Sequence, residues 1–169
     1  WPRPTRADEM VDRLTQLGVS AILPIVSDRS APGARELSPN RIERLERIAR
    51  EACKQCGRTW LPEIRAPRSV EELAEAPAAD TILLQANART SLSDWARERG
   101  PREPRSWTAE RPLRLIAGPE GGFAPAEVAM FLDRHAATAR LGPHVLRIET
   151  AAEAALAILV EVLLRPPRS

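Results

Sequence analysis

The chain has 169 residues, of which 43% are hydrophobic, and a formal net charge of +2. This length fits one domain, and the hydrophobic fraction supports a buried core and excludes a disordered chain. The small charge excess does not by itself indicate nucleic-acid binding. Of the 25 cationic residues, Lys54 is the single lysine and the other 24 are arginines. A GC-rich genome is the favoured explanation of this bias, although arginine also suits contacts to phosphates and bases.

The two cysteines, Cys53 and Cys56, are too few for a disulfide framework. They lie three residues apart in a predicted helix, and because a structural zinc site needs four ligands, we predict no metal site. The longest apolar run, Ala154–Val160, is far shorter than the roughly 20 residues of a membrane span. We therefore expect a cytoplasmic protein without a signal peptide. Because the chain begins at Trp1 rather than methionine, we also expect a trimmed piece of a longer protein.

The N-terminal third predicts a helix, a strand and a second helix. Apolar residues at helical spacing predict a helix over Thr5–Leu17, and Val19–Val26 (VSAILPIV) predicts one buried strand. Ser38 is followed by proline and predicts the N-cap of a helix that runs to about Cys56. Gly57 then predicts its end.

The remaining chain alternates strands with helices. The predicted strands are an extended piece around Trp60–Ile64, then Thr81–Leu84, Leu113–Ala117 and Ala137–Leu141. The predicted helices are Ser69–Ala76, Leu92–Arg99, Pro125–His135 and Thr150–Leu164. Gly100–Pro112 contains three prolines and predicts a loop. Such alternation predicts an α/β fold with a mostly parallel sheet.

The segment Gly118–Phe123 (GPEGGF) lies between a predicted strand and a predicted helix. Glycines there permit a sharp turn and close backbone approach to a ligand, and open α/β sheets bind ligands beyond the carboxyl ends of their strands. A plain glycine-rich turn without a ligand is the alternative. The segment matches neither GxxxxGK[ST] nor GxGxxG, so a nucleoside triphosphate or a dinucleotide is not indicated.

The segment Leu141–Ala151 (LGPHVLRIETA) combines a Gly-Pro turn, a short apolar stretch and the start of an alanine-rich helix. Glu149 and Thr150 are predicted to cap that helix, whose small residues allow close packing. An ordinary helix start would explain the alanines, but it leaves Arg147 unexplained within an otherwise apolar turn.

Four ordered motifs carry a resemblance to a known family. GPEGGF is followed about twenty residues later by LGPHVLRIETA, and the chain also contains LTQLGVSAILPIVSDRS (14–30) and EACKQCGR (51–58) with PEI (62–64). Together they resemble the 16S rRNA (uracil-N3)-methyltransferase family of the SPOUT superfamily. That family carries a small N-terminal PUA-like RNA-binding barrel with no counterpart here, so we expect residues 1–169 to form the methyltransferase domain alone.

The resemblance implies a SPOUT (α/β knot) fold, with helices on both faces of a mostly parallel sheet and a deep C-terminal trefoil knot. It implies S-adenosyl-L-methionine (SAM) as cofactor, a homodimer with the active site at the subunit interface, and 16S rRNA in the 30S subunit as partner. By position, the cofactor contacts carry over to Leu84, Gln85, Ala86, Asn87, Gly118, Pro119, Glu120, Gly121, Gly122, Leu141, Gly142, Val145, Leu146, Arg147, Thr150 and Ala151.

The resemblance also implies the catalytic residues. Uracil N3 is a poor nucleophile until its proton leaves, and arginines aimed at O2 and O4 would stabilise the resulting negative charge. Arg147 is the first candidate because its motif places it beside the cofactor, and Arg29 and Arg58 are next because each lies at the end of a matched motif. Glu120 would accept the proton or orient the base. A carboxylate bonded to N–H groups at a helix start is at least as good an interpretation of Glu120.

Four residues are expected to meet the RNA: Arg29, Gln55, Arg58 and His144. His144 stands where the family often has arginine or lysine. Whether Arg29 and Arg58 act in their own subunit or across the dimer is left open. Two other functions remain as alternatives, a SPOUT methyltransferase acting on tRNA or on a ribose 2′-hydroxyl, and a non-catalytic RNA-binding or ribosome-assembly module.

Overall fold

Helices and strands alternate along the part of the chain that the computed structural model describes, residues 1–30, 37–78, 80–99, 110–119 and 121–163. The helices are α1 (Pro4–Gln16), α2 (Pro39–Cys56), α3 (Val70–Glu75), α4 (Leu92–Arg99), α5 (Pro125–Asp133) and α6 (Ile148–Leu163). The strands are β1 (Ala21–Ile22), β2 (Ile25–Val26), β3 (Glu63–Ile64), β4 (Arg68–Ser69), β5 (Asp80–Leu84), β6 (Leu113–Ala117) and β7 (Ala137–Ala139). Among these residues, no helix is both long enough and apolar enough to cross a membrane.

Every strand pair within the described residues is parallel. β5 lies between β6 and β7, with Ile82 opposite both Leu115 and Ala137, while β1 pairs with β3 and β2 pairs with β4. These pairs confirm the expected α/β fold with a parallel sheet. The trefoil knot stays a prediction.

The central strand β5 is buried on both faces because successive side chains of a strand point to opposite sides. Ile82 packs with Leu92 of α4 and Leu159 of α6. Leu83, its neighbour in the chain, packs on the other face with Val70 of α3 and Phe131 of α5. Helices therefore cover both faces of the sheet, as expected.

A third apolar cluster joins α1, α2 and β1. Leu45 of α2 and Val11 of α1 are fully buried, and Met10, Leu14 and Ile22 pack with them. The ends of α2 agree with the prediction, since the Ser38 hydroxyl accepts a hydrogen bond from the Arg41 N–H and Gly57 adopts φ 74°. The N-terminal half thus has a core of its own, which α6 also touches through Ala152 and Leu156.

The single strand predicted over Val19–Val26 is wrong. The structure has two strands of two residues, separated by Leu23 and Pro24, and each pairs with a different partner. Proline lacks the N–H that a continuous ladder would use, and its φ is fixed, so the strand is interrupted there. The Pro24 carbonyl instead accepts a hydrogen bond from the Arg68 N–H at 3.1 Å.

The start of the last helix also differs from the prediction. α6 begins at Ile148, so Glu149 and Thr150 lie in its first turn and are not its caps. The Arg147 carbonyl accepts the hydrogen bond of the Ala151 N–H at 2.8 Å, and the helix begins two residues before the predicted position. Side-chain capping types mark a helix start only to within a residue or two.

β4 was not predicted, because two residues show no alternation of apolar and polar side chains. The predicted loop Gly100–Pro112 lies outside the described residues except for its last three positions.

We predict that Leu45→Ala lowers the free energy of unfolding by about 2–5 kcal/mol, because it leaves a cavity in a fully buried apolar cluster. Urea denaturation measures this change. Glu43→Ala, on the exposed face of the same helix, is the control and should shift stability by about 0.5 kcal/mol or less. Equal effects of the two substitutions would contradict the assignment of Leu45 to the core.

Candidate functional site

A cavity of about 370 Å³ lies where β5, β6 and β7 end. Three segments line it: the one after β5 (Leu84–Asn87), the one after β6 (residues 117–119 and 121–123) and the one from the end of β7 into α6 (residues 139–142, 144–146, 148 and 151). Because all three strands run in the same direction, their carboxyl ends meet at one edge of the sheet. The volume falls within the range of about 300–1,000 Å³ that is typical of small-molecule sites.

The GPEGGF segment is shaped by two glycines with different tasks. A Cβ on Gly118 would lie 2.9 Å from Cε2 of the Phe123 ring, which is buried and packs edge-on against Phe131. Gly122 has φ 68°, a conformation that side chains disfavour, and its N–H donates to the Pro119 carbonyl at 2.8 Å. The turn therefore depends on close packing at Gly118 and on backbone freedom at Gly122.

The segment after β7 offers unpaired backbone to the cavity. Between residues that the structure describes, no hydrogen bond is formed by the backbone of 142–146. Val145 is 79% exposed and Leu146 is 37% exposed, so this stretch is both apolar and open. Since backbone N–H and C=O groups require partners, this stretch is suited to binding a ligand that has hydrogen-bonding edges.

The segment after β5 is held by Arg140, a residue that the sequence reasoning missed. The Arg140 guanidinium donates to the carbonyl of Ala88 at 3.3 Å and to the carbonyl of Arg89, and the residue is part of the cavity lining. The Gln85 N–H also donates to the Ala139 carbonyl at 3.0 Å. No motif marks Arg140 among so many arginines, so the sequence carried no signal for it.

The SDRS turn (residues 27–30) reaches the cavity from the N-terminal half. Ser30 closes the turn, because its hydroxyl accepts a hydrogen bond from the Ser27 N–H at 2.9 Å. Nη1 of Arg29 donates to the carbonyl of Gly121 at 2.6 Å. Arg29 therefore contacts the GPEGGF segment of its own chain.

Glu127, which the sequence reasoning also missed, joins the SDRS turn to the start of α5, directly after the GPEGGF segment. Its side chain is 3% exposed, one carboxylate oxygen accepts from the Asp28 N–H at 2.8 Å, and the other accepts from the Ala124 N–H at 2.7 Å. Its position two residues after Pro125, in the first turn of α5, is a signal for a capping glutamate. Nothing in the sequence indicates the contact with Asp28.

Most of the predicted cofactor contacts meet around one cavity. They are Leu84, Gln85, Ala86, Asn87, Gly118, Pro119, Gly121, Gly122, Leu141, Gly142, Val145, Leu146 and Ala151. Lining residues that were not predicted are Ala117, Phe123, Ala139, Arg140 and Ile148. Glu120, predicted as both a catalytic and a cofactor residue, lies outside the described residues.

The structure does not bring all the predicted residues to the cavity. The side chains of Arg147 and Thr150 are exposed and are not part of its lining, whereas His144 is exposed and lies on its wall. Gln55 is exposed on α2. The roles proposed for these residues stay predictions.

Arg58 follows the end of α2, its side chain reaches the end of α1, and it is not part of the cavity lining. Its guanidinium donates to the carbonyls of Thr15 at 2.8 Å and Val19 at 2.5 Å, and it lies 4.9 Å from the centre of the Trp60 ring. Burial lowers the pKa of Arg58 below its ordinary value. These contacts stabilise the turn between α1 and β1, and the catalytic role of Arg58 stays a prediction.

The two cysteines lie in different environments. Cys53 is buried and its thiol donates to the Trp60 carbonyl at 3.3 Å, while Cys56 is exposed. Within the described ranges, no three side chains of His, Cys, Asp and Glu gather in a way that could hold a metal ion.

We predict that Arg58→Ala lowers the free energy of unfolding by about 1–3 kcal/mol, because two backbone carbonyls lose a charged donor. Chemical denaturation measures the loss. Arg50→Ala removes a cation from the exposed face of α2 and serves as the control, with an expected change of about 0.5 kcal/mol or less. If Arg58→Ala is as stable as the control, Arg58 does not stabilise the turn.

Comparisons with known proteins agree with this architecture. The chain is 28% identical over 162 residues to the ribosomal RNA small subunit methyltransferase E of Synechocystis sp., covering 92% of this chain and 49% of that protein. It is 30% identical over 164 residues to the protein of the same name from Mycobacterium bovis, covering 92% of this chain and 58% of that protein. The chain thus spans about half the length of these relatives.

Solved structures show the same fold. A Legionella pneumophila protein described as a methyltransferase, solved with bound SAM, has a TM-score of 0.76 and 28% identity over 95% of this chain and 62% of its own. Ribosomal RNA small subunit methyltransferase E from Neisseria gonorrhoeae, bound to SAM, has a TM-score of 0.75 and 26% identity over 93% of this chain and 61% of its own. The SPOUT fold class expected from the motifs is confirmed.

The profile of the RNA methyltransferase domain family matches residues 1–160, nearly the whole chain. The match includes all three segments that line the cavity as well as the SDRS turn. The chain therefore belongs to the RNA methyltransferase domain family.

Proposed function

We propose that this chain is the catalytic domain of a SAM-dependent methyltransferase that methylates N3 of one uridine in 16S rRNA of the small ribosomal subunit. One observation carries the proposal: the GPEGGF and LGPHVL segments line a single cavity at the carboxyl ends of parallel strands, and Arg29 of the SDRS turn contacts its wall. The relatives named ribosomal RNA small subunit methyltransferase E support the choice of substrate.

The residues around the cavity fit SAM. Apolar side chains such as Leu84, Leu141 and Ile148 offer a surface for a flat base, and the unpaired backbone of 142–146 offers partners for its polar edge. When bound, SAM supplies a methyl group on a sulfonium, ready for transfer to a nucleophile. No atom lies within 4 Å of the position that a Cβ on Gly122 would take, so the backbone there is open to close approach.

The chain's own task is to orient the uracil and stabilise the charge that forms when N3 loses its proton. Arginine donors near O2 and O4 would provide this stabilisation in a site shielded from water. Arg29 is hydrogen-bonded to the cavity wall at Gly121, and Arg147 directly precedes α6 within the second motif. Glu127 is not suited to accept the proton, because it is buried and both of its oxygens accept backbone hydrogen bonds.

A homodimer belongs to the same proposal. Val145 and Leu146 are exposed apolar side chains at the rim of the cavity, and burying them against a second subunit would remove apolar surface from water. Covering this rim would also complete the site at the subunit interface, beside the bound RNA.

We predict that Gly118→Ala weakens SAM binding about tenfold or more, because the new Cβ must displace the buried Phe123 ring that lines the cavity. Calorimetric titration with SAM measures this. Gly121→Ala is the matched control, since its Cβ would meet only the Arg29 side chain at an ordinary 3.6 Å. If both variants bind like the parent protein, the cavity is not the SAM site.

Arg147→Ala separates a catalytic role from a structural one. The Arg147 side chain is exposed, so we expect stability to change by about 0.5 kcal/mol or less, while turnover falls about a hundredfold. Methyl transfer to 30S subunits and thermal denaturation provide the two measurements. Unchanged turnover would remove Arg147 from the mechanism.

The proposed function is tested most directly by mass mapping of modified nucleosides in rRNA and tRNA from a strain that lacks the gene. We expect 3-methyluridine to disappear from 16S rRNA and to return on complementation. Loss of a tRNA methylation or of a ribose 2′-O-methyl group would favour the other SPOUT activities. An unchanged set of modifications, together with no SAM binding, would favour a non-catalytic RNA-binding module.

A further inference from the structure

Two separate links join the SDRS turn to the GPEGGF segment and to the start of α5, which follows that segment directly. Arg29 reaches the Gly121 carbonyl from the solvent side, and Glu127 accepts the Asp28 N–H from the protein interior. Both links therefore start from neighbouring positions of one short turn. Gly121, which Arg29 reaches, lines the cavity, whereas Glu127 does not.

Glu127 does more than cap its helix. A capping glutamate needs only the N–H of Ala124, which one carboxylate oxygen accepts at 2.7 Å. The second oxygen accepts the N–H of Asp28, a residue 99 positions away in the chain. A buried carboxylate with one partner missing would carry a large desolvation cost, so the carboxylate holds the two segments together.

The two links together fix the position of Arg29. Among the described residues, its guanidinium makes one hydrogen bond, to Gly121, and no ion pair, although the residue is exposed. A guanidinium has five N–H donors, so most of its donors remain available to an anion at the rim of the cavity. Phosphate oxygens or a deprotonated uracil are anions that the substrate would bring.

We propose that Glu127 is a positioning residue that holds Arg29 at the rim of the SAM cavity for contact with the RNA. The inference rests on the proposed function, since it takes RNA as the ligand of Arg29. It assigns Arg29 to its own subunit's cavity. It also implies that a shift of the cavity wall at Gly121 would move Arg29, because the two residues are hydrogen-bonded.

A double-mutant cycle tests this inference on binding to 30S subunits in the presence of S-adenosylhomocysteine. Glu127→Gln keeps the shape of the side chain but replaces one acceptor with a donor, so it cannot serve both N–H groups. We expect it to weaken 30S binding about five- to tenfold. In the Arg29→Ala background the same substitution should change binding less than about twofold, because the arginine that it places is already gone.

Two further variants provide a control and a second test. Glu75→Gln removes the same charge from an exposed site and should leave 30S binding unchanged. Ser30→Ala removes the hydroxyl that closes the SDRS turn and should also weaken 30S binding. It serves as the test variant if Glu127→Gln fails to fold. The affinity of each folded variant for S-adenosylhomocysteine, measured by calorimetry, should stay within about threefold of the parent, since neither Glu127 nor Ser30 lines the cavity.

The outcomes separate this inference from the proposed function. Additive losses from Glu127→Gln and Arg29→Ala would overturn the inference, even if the parent protein methylates 16S rRNA. A non-additive cycle in a protein that binds 30S subunits but transfers no methyl group would support the inference and contradict the proposed function. Absence of 30S binding by the parent protein would overturn the inference as well.

Discussion

The parallel pairing of β5 with β6 on one side and β7 on the other organises the site. Five register pairs join β5 to β6 and three join β5 to β7, and all three strands end at the same edge of the sheet. The segments that follow them must therefore meet, whatever their sequence. Burial of Ile82 on one face and Leu83 on the other keeps β5 in this central place. The cavity is a consequence of strand direction, and the motifs supply its chemistry.

Arginine serves two different purposes in this chain. Arg58 donates to carbonyls at the end of α1, Arg114 donates to carbonyls of Leu73, Ala76 and Pro77 after α3, and Arg140 donates to carbonyls of the segment after β5. The last turn of a helix leaves carbonyls without partners, and a charged donor satisfies them strongly. Burial lowers the pKa of Arg114, as expected for a guanidinium held inside the fold.

For the proposed contact with RNA, the placement of an arginine matters more than the number of arginines in the chain. Arg29 is held at the cavity by a backbone carbonyl on one side and, through its turn, by Glu127 on the other. A donor fixed in advance loses little freedom when it meets its anion, which favours binding and stabilisation of charge. The high arginine content alone would not have distinguished Arg29 from Arg58.

The sequence by itself determined the fold class, the order of the elements and most of the cavity lining. Apolar spacing and glycine or serine at helix ends are local signals, so α2 and α4 were predicted closely. The single strand predicted over Val19–Val26 was wrong because the strand is interrupted at Pro24. The short strands on either side of it pair with two different strands. The motif residues met around one cavity because the motifs follow parallel strands.

Only the tertiary structure decided which side chains complete the site. Arg140 and Glu127 act through hydrogen bonds to backbone groups far away in the chain, and no local pattern encodes such partners. Arg58 lies in a matched motif, yet its donors are used by carbonyls near the end of α1. Local sequence sets what a residue can do, whereas the packing of distant segments sets which partner it meets.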